Sequence, residues 1–232
     1  MLEPLELTLP GAPSTPVHAL LPPGARRGMI VIHEILGRQP EIDRVVARFA
    51  AAGWACAAPA LFASGNRLAC IRRAVSAIAS GQGEQLEQIR ATRRWLSAQA
   101  GIAEERIGLI GFCLGGGFAL AAGPGFGAVS TNYGEVPPSE VMRGIGPVIG
   151  CYAGRDRLFR GNAVKLKRRL GRVGVTPEVH TFDEAGHSFL TDGHHPIAEF
   201  FTRPLMHLGE GSELREQAWA RISEFFDRAI QP

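Results

Sequence analysis

Short apolar runs and longer amphipathic segments alternate along the 232-residue chain. A continuous apolar run bounded by turn residues is typical of a strand buried on both faces, and apolar residues at helical spacing predict a helix. On these criteria we predict strands at 5–9, 17–21, 29–33, 54–59, 106–111, 127–133, 146–154 and 176–182. We predict helices at 40–52, 67–80, 84–99, 114–123, 160–172 and 212–230.

This alternation predicts an α/β fold with a mostly parallel central sheet and helices on both of its faces. No repeat, low-complexity tract or linker divides the chain, so we expect residues 1–232 to form a single domain. Ligands of such sheets bind beyond the carboxyl ends of the strands. Polar stretches follow four of the predicted strands there, with the sequences HEILG, CLGG, GRDRLF and DEAGHSF.

Composition and charge exclude several classes of function. The net charge of +3 is too small, and the basic residues are too scattered, for a nucleic-acid interface. The amino-terminal segment lacks the features of a signal peptide, and the uncharged stretch 107–134 is too rich in glycine to be a membrane span. We therefore expect a cytoplasmic monomer or homodimer that acts on a small molecule, without nucleic-acid or membrane partners. The four cysteines show no metal-binding spacing, so we expect no metal.

The segment GFCLGGG, residues 111–117, has the pattern of a nucleophile elbow with a cysteine at its centre. An elbow turns sharply from a strand into a helix and needs small residues two positions before and after the nucleophile. Gly111 and Gly115 occupy these positions around Cys113, between a predicted strand and a predicted helix. The motif alone leaves open a glycine-rich turn around a buried structural cysteine.

Two residues later in the chain could activate this thiol. At neutral pH only a few per cent of a free thiol is ionised, so a nucleophilic cysteine needs a base. Asp156 and His187 each follow a predicted strand, in the order nucleophile, acid, histidine that this elbow requires. Taken singly, Asp156 is an ordinary turn residue and His187 an ordinary loop residue, but the ordered set favours a catalytic triad. A metal site built from His187, His194 and His195 lacks a recognised spacing.

The motifs HEILG, GFCLGG, AGRD and EAGHSF, in this order, resemble those of the dienelactone hydrolases, which are cysteine-dependent members of the α/β-hydrolase fold. The resemblance implies that Cys113 attacks the carbonyl of an ester or lactone, that His187 relays the proton and that Asp156 orients His187. It also implies that Glu34 faces the thiol and takes part in its activation. A buried acid held by an arginine is the alternative interpretation of Glu34, because an unpaired buried carboxylate is costly.

The oxyanion hole and the substrate pocket follow from the same motifs. Elbow geometry makes the backbone N–H of Leu114 one oxyanion donor. The other donor comes from the loop after the third strand, which here is the backbone N–H of Ile35. Ser188 matches the family. Thr191, however, stands where the family has an arginine that receives a substrate carboxylate, with Asp192 beside it. Candidate substitutes for that cation are Arg67, Arg72, Arg73 and Arg203, and we take Ser188, Thr191 and Arg72 as substrate-binding candidates.

These residues predict a carboxylic-ester or lactone hydrolase that needs no cofactor, because acyl transfer to water requires a nucleophile, a base and an oxyanion hole. We expect it to prefer neutral esters because of Thr191. One alternative is a non-catalytic or redox-responsive protein in which Cys113 is oxidised and another cysteine resolves it. A thioesterase or acyltransferase with the same triad is a further alternative. The candidate resolving cysteines are Cys56, Cys70 and Cys151.

Overall fold

The computed structural model describes residues 2–11, 14–62, 67–191 and 212–231. Strands that lie between residues 5 and 182 form one sheet of eight strands. The strands are β1 (Leu5–Leu9), β2 (Thr15–Leu20), β3 (Gly28–Ile32), β4 (Ala55–Pro59), β5 (Ile107–Phe112), β6 (Ala128–Asn132), β7 (Val148–Ala153) and β8 (Glu178–Phe182). The described helices are α1 (Pro40–Ala51), α2 (Arg67–Ser80), α3 (Glu84–Ala100), α4 (Leu114–Ala122), α5 (Asn162–Gly171) and α6 (Ser212–Ala229).

The sheet is antiparallel at one edge and parallel elsewhere. Its strand order is β1-β2-β4-β3-β5-β6-β7-β8, in which β2 runs antiparallel to β1 and β4. The remaining neighbours are parallel, with Gly28 of β3 opposite Ile107 of β5 and Phe112 of β5 opposite Asn132 of β6. The carboxyl ends of β3, β5, β6, β7 and β8 therefore lie along one edge of the sheet.

Side chains that alternate along the strands build a core on each face. Ile30 and Ile32 of β3 join the apolar cluster that contains buried residues of α2, α3, α4 and α5, whereas Met29 and Val31 join the cluster containing α1 and α6. Helices thus cover both faces, and each central strand is buried on both sides, which explains its uninterrupted apolar sequence.

The predicted strands and helices are all present, with ends shifted by at most two residues. Periodicity did not reveal the two short 3₁₀ helices, Glu104–Arg106 and Ser139–Met142, because each is a single turn without an apolar repeat. The predicted α/β-hydrolase architecture is confirmed. Within the described residues, no helix is both long and apolar enough to span a bilayer.

Candidate active site

The turn from β5 into α4 has the backbone conformation of a nucleophile elbow. Cys113 has φ 54° and ψ −118°, a conformation that L-residues rarely adopt and that costs about 1–3 kcal/mol. Its N–H donates to the carbonyl of Asn132 at 3.0 Å, which attaches the turn to the end of β6. A Cβ on Gly111 would lie 2.0 Å from the carbonyl oxygen of Gly115, so the sharp turn requires glycine at that position.

Gly115 brings the elbow against the end of β3. A Cβ at this position would lie 2.5 Å from the carbonyl oxygens of both Ile32 and His33. The first turn of α4 can therefore approach the β3 strand end only because this side chain is missing. The loop after β3 therefore starts against the first turn of α4, so the predicted oxyanion donors Ile35 and Leu114 belong to adjoining segments. Among the backbone bonds of the described residues, neither of these two N–H groups has an acceptor.

Asp156 and His187 form a buried pair at the ends of β7 and β8. Nδ1 of His187 donates to Oδ2 of Asp156 at 2.6 Å, and each side chain is at most 3% exposed. The other carboxylate oxygen, Oδ1, accepts the backbone N–H groups of Leu158 at 3.0 Å and Phe159 at 3.2 Å. The carboxylate orientation is thus fixed by its own loop, and it in turn fixes the imidazole tautomer with the proton on Nδ1.

Aromatic rings and charges surround the imidazole of His187. The ring stacks on Phe159 at 5.2 Å between centroids and meets Tyr133 edge-on at 5.0 Å. Burial lowers the pKa of His187, but the negative charge of Cys113 and then the hydrogen bond to Asp156 outweigh burial and raise that pKa to about 10. Nε2 is buried and makes no well-aligned hydrogen bond within the described part of the chain. The thiol is therefore close enough to interact electrostatically with a ring whose second nitrogen has no other partner.

Glu34 is held by two hydroxyl groups. Thr191 donates to Oε1 of Glu34 at 2.9 Å, and the hydroxyl of Tyr133 contacts the same oxygen at 3.3 Å. The two hydroxyl oxygens lie 3.3 Å apart. Burial, and next the negative charge of Glu34, raise the pKa of Tyr133, so its hydroxyl keeps its proton. The expected partner of Glu34 therefore exists, but it is a tyrosine and threonine pair and not an arginine.

His33 was not singled out in the sequence, although it is buried at the end of β3. Its Nδ1 lies 2.7 Å from the carbonyl oxygen of Glu34, and its Nε2 lies 3.0 Å from the backbone nitrogen of Leu61. The ring also packs edge-on against Phe62, at 5.0 Å between centroids. A polar side chain directly after a buried apolar strand was the available signal, because both ring nitrogens need partners at such a position.

Comparison with known proteins identifies the family. The family model described as the dienelactone hydrolase family matches residues 16–230. The chain belongs to the dienelactone hydrolase family. A carboxymethylenebutenolidase of Rhodococcus opacus is 31% identical over 145 residues, which is 55% of this chain and 52% of that protein. The match therefore spans about half the length of this curated relative.

Solved structures of dienelactone hydrolase relatives share the fold. A dienelactone hydrolase-like promiscuous phosphotriesterase from metagenomic libraries superposes with a TM-score of 0.78 at 18% identity, over 99% of both chains. A dienelactone hydrolase from Anabaena variabilis superposes with a TM-score of 0.71 at 16% identity, also over 99% of both chains.

The substrate-binding candidates lie in different parts of the fold. Ser188 is 2% exposed and adopts φ 60°, and Thr191 is 3% exposed, with its hydroxyl on Glu34. Arg72 and Arg73 are exposed on α2, and Arg73 contacts Sγ of Cys70 at 3.2 Å. No contact in the described structure joins Arg72 to the other candidates. Asp192, His194, His195, Arg203 and the side chain of Arg67 lie outside the described residues.

A cleft of about 280 Å³ opens between the loops that follow β3 and β4. Its lining includes Leu36, Gly37, Ala60 and Phe62, together with Arg38. The Arg38 guanidinium pairs with Glu6 and Asp43, so its charge is already balanced. Among the described residues, no group of three or more acidic, histidine or cysteine side chains could hold a metal ion.

Proposed function

We propose that the protein hydrolyses carboxylic esters or lactones and that Cys113 is its nucleophile. The observation that carries this proposal is the strained elbow that presents Cys113, together with a buried His187 whose Nδ1 is bound to Asp156 and whose pKa is raised by interaction with Cys113. Membership of the dienelactone hydrolase family, and the likeness to a carboxymethylenebutenolidase, support the same reaction class.

In the first half-reaction Nε2 of His187 holds the proton given up by the thiol, as its raised pKa indicates, and Sγ of Cys113 adds to the substrate carbonyl carbon. The carbonyl oxygen becomes an oxyanion, which the N–H groups of Ile35 and Leu114 stabilise. One well-placed donor contributes roughly 3–4 kcal/mol to such a transition state. The carbon–oxygen bond to the alcohol then breaks, the alkoxide takes the proton from Nε2, and a thioester remains on Cys113.

In the second half-reaction His187 removes a proton from water, and the resulting hydroxide adds to the thioester carbonyl. Collapse of this second tetrahedral intermediate breaks the carbon–sulfur bond and releases the carboxylic acid. The proton held on Nε2 returns to the thiolate. Asp156 stays ionised throughout, keeps the Nδ1 proton in place and stabilises the imidazolium that forms twice in each cycle.

Glu34 takes part in thiol activation in this proposal, as its place beside the elbow suggests. The hydroxyls of Tyr133 and Thr191 hold its carboxylate, and no cationic side chain of the described residues contacts it. Thr191 brings no positive charge to the site. We infer that the substrate is a neutral ester or lactone, because an anionic substrate group would meet Glu34 without a fixed cation from the described residues to balance it.

The redox-responsive alternative receives less support. Burial raises the pKa of Cys56 far above its ordinary value and that of Cys151 to about 12. A resolving cysteine must ionise and be accessible. Cys56 and Cys151 do neither, and Cys70, the third candidate, is also buried. A thioesterase or acyltransferase would use the same acyl-enzyme with a different leaving group or acceptor. The test below therefore includes thioesters and added alcohols.

The proposal is tested by turnover of a panel of chromogenic esters, lactones and thioesters, with and without a competing alcohol. Wild type should hydrolyse at least one ester or lactone, and Cys113→Ala should be folded and inactive. Cys56→Ala, which removes a buried thiol outside the site, is the matched control and should keep the wild-type kcat. A folded Cys113→Ala protein with near-wild-type turnover would refute the assignment.

A further inference from the structure

His33 is fixed in one tautomer by its two hydrogen bonds. The backbone N–H of Leu61 can only donate, so Nε2 of His33, 3.0 Å away, must accept. The proton therefore sits on Nδ1 and is donated to the carbonyl oxygen of Glu34 at 2.7 Å. Burial lowers the pKa of His33 to about 4, which keeps the ring neutral at working pH.

The Glu34 carbonyl is linked to the oxyanion hole through a single peptide group. Its C=O and the N–H of Ile35 belong to the same planar trans peptide and point in opposite directions. Any bond that fixes the direction of this carbonyl therefore fixes the direction of the Ile35 N–H. The carbonyl accepts from Nδ1 of His33 and from the backbone N–H of Gly37 at 3.1 Å, so it is held from two sides.

The second bond of His33 anchors this loop to the rest of the fold. Gly37 is part of the same turn as Glu34, so its N–H closes the turn but does not attach it elsewhere. Nε2 of His33 joins the turn to Leu61, which follows the neighbouring strand β4. The ring is 1% exposed and packs edge-on against Phe62, so it cannot swing away.

We propose that His33 is a positioning residue for the oxyanion hole: its neutral imidazole aims the Ile35 N–H at the developing oxyanion by holding the Glu34 carbonyl. This inference rests on the proposed hydrolytic function. It assigns His33 no proton transfer and no contact with substrate. Its effect is confined to steps in which a carbonyl oxygen gains charge.

Two reactions of the same thiol separate this role from a general structural one. Acylation of Cys113 by a chromogenic ester builds an oxyanion, whereas alkylation by iodoacetamide displaces iodide at a saturated carbon and builds none. Both reactions need Cys113 and His187 in place. A residue that only orients an oxyanion donor should affect acylation and leave alkylation unchanged.

The experiment measures both rate constants in wild type, His33→Leu and His33→Gln, at temperatures where each variant is folded. Leucine keeps the bulk and removes both bonds, whereas glutamine retains one donor and one acceptor. In His33→Leu we expect acylation to fall by about 10- to 100-fold, somewhat less than loss of a whole oxyanion donor. Alkylation should stay close to the wild-type rate, and His33→Gln should recover part of the acylation rate.

If His33→Leu does not fold, His33→Asn replaces it, because its shorter amide cannot span both partners. The same fall in acylation with unchanged alkylation is then expected.

Wild-type acylation in His33→Leu would overturn the inference, as would an equal fall in acylation and alkylation. Either result would leave the proposed function standing as long as wild type acylates Cys113. A wild-type protein that shows no acylation by any ester would instead refute the proposed function, and the inference with it.

Discussion

Replacing Asp156 by asparagine should remove activity while preserving the fold. Oδ1 of Asp156 accepts two backbone N–H groups, so the asparagine amide will place its only oxygen there. Its NH₂ group then faces Nδ1 of His187, 2.6 Å from the carboxylate oxygen in the wild type. Because NH₂ can only donate, Nδ1 must accept and the ring proton moves to Nε2. A ring protonated there cannot take the thiol proton.

The size of the loss follows from the tautomer. The equivalent change in a serine-protease triad lowers kcat by about 10⁴-fold. A thiol is more acidic than a hydroxyl and depends less on its base, so we expect about 10³-fold here, or about 4 kcal/mol in the activation barrier. The loop bonds through Oδ1 remain, and the unfolding midpoint should change little.

The assay is kcat on the best ester of the panel near neutral pH, together with thermal unfolding. Asp183→Asn is the matched control, because it removes an exposed carboxylate from the loop that leads to His187 and should leave kcat unchanged. A folded Asp156→Asn enzyme within about tenfold of wild type, a difference of only about 1.4 kcal/mol, would refute the reasoning about the tautomer.

Three further results are expected. Gly115→Ala should inactivate the protein and destabilise it by about 1–3 kcal/mol, because its Cβ would meet backbone carbonyls at the end of β3. The control is Gly171→Ala, whose Cβ would meet nothing within 4 Å and which should change neither kcat nor the unfolding midpoint. An NMR titration should find the pKa of His187 near 10 in wild type and lower in Cys113→Ala. Since folding raises this pKa, protonated His187 stabilises the folded state fully below the pKa of an unfolded histidine, and this stabilisation is lost as pH rises through about 10. An unchanged His187 pKa in Cys113→Ala would contradict the interaction between His187 and Cys113. Thr191→Arg should shift kcat/KM toward a carboxylate-bearing ester relative to its neutral analogue by about 1.5–3 kcal/mol, and a wild type that already prefers the carboxylate about tenfold would contradict our interpretation of Thr191.

Much of the fold could be predicted because each central strand, such as β3 and β5, is apolar throughout and each helix ends near a turn residue. The order of the strands could not, since the insertion of β3 between β4 and β5 is decided by packing between residues far apart in sequence. The two 3₁₀ helices carry no periodic signal because each is only one turn long.

The candidate site divides in the same way. Cys113, Asp156 and His187 belong to local motifs, so their places after strand ends were predictable, although their catalytic roles remain predictions. The partners of Glu34 were not predictable, because Tyr133 and Thr191 lie on separate loops and meet it only in three dimensions. The positions of the arginines in the sequence do not indicate that two hydroxyl groups hold Glu34.

The central claim, that Cys113 carries the acyl group, is tested most directly by mass spectrometry of an acid-quenched reaction with a slowly hydrolysed ester. We predict that the peptide containing Cys113 gains the mass of the acyl group and loses it again as product forms. Steady turnover without any adduct on Cys113, or an adduct on another residue that forms and decays at the turnover rate, would contradict the claim.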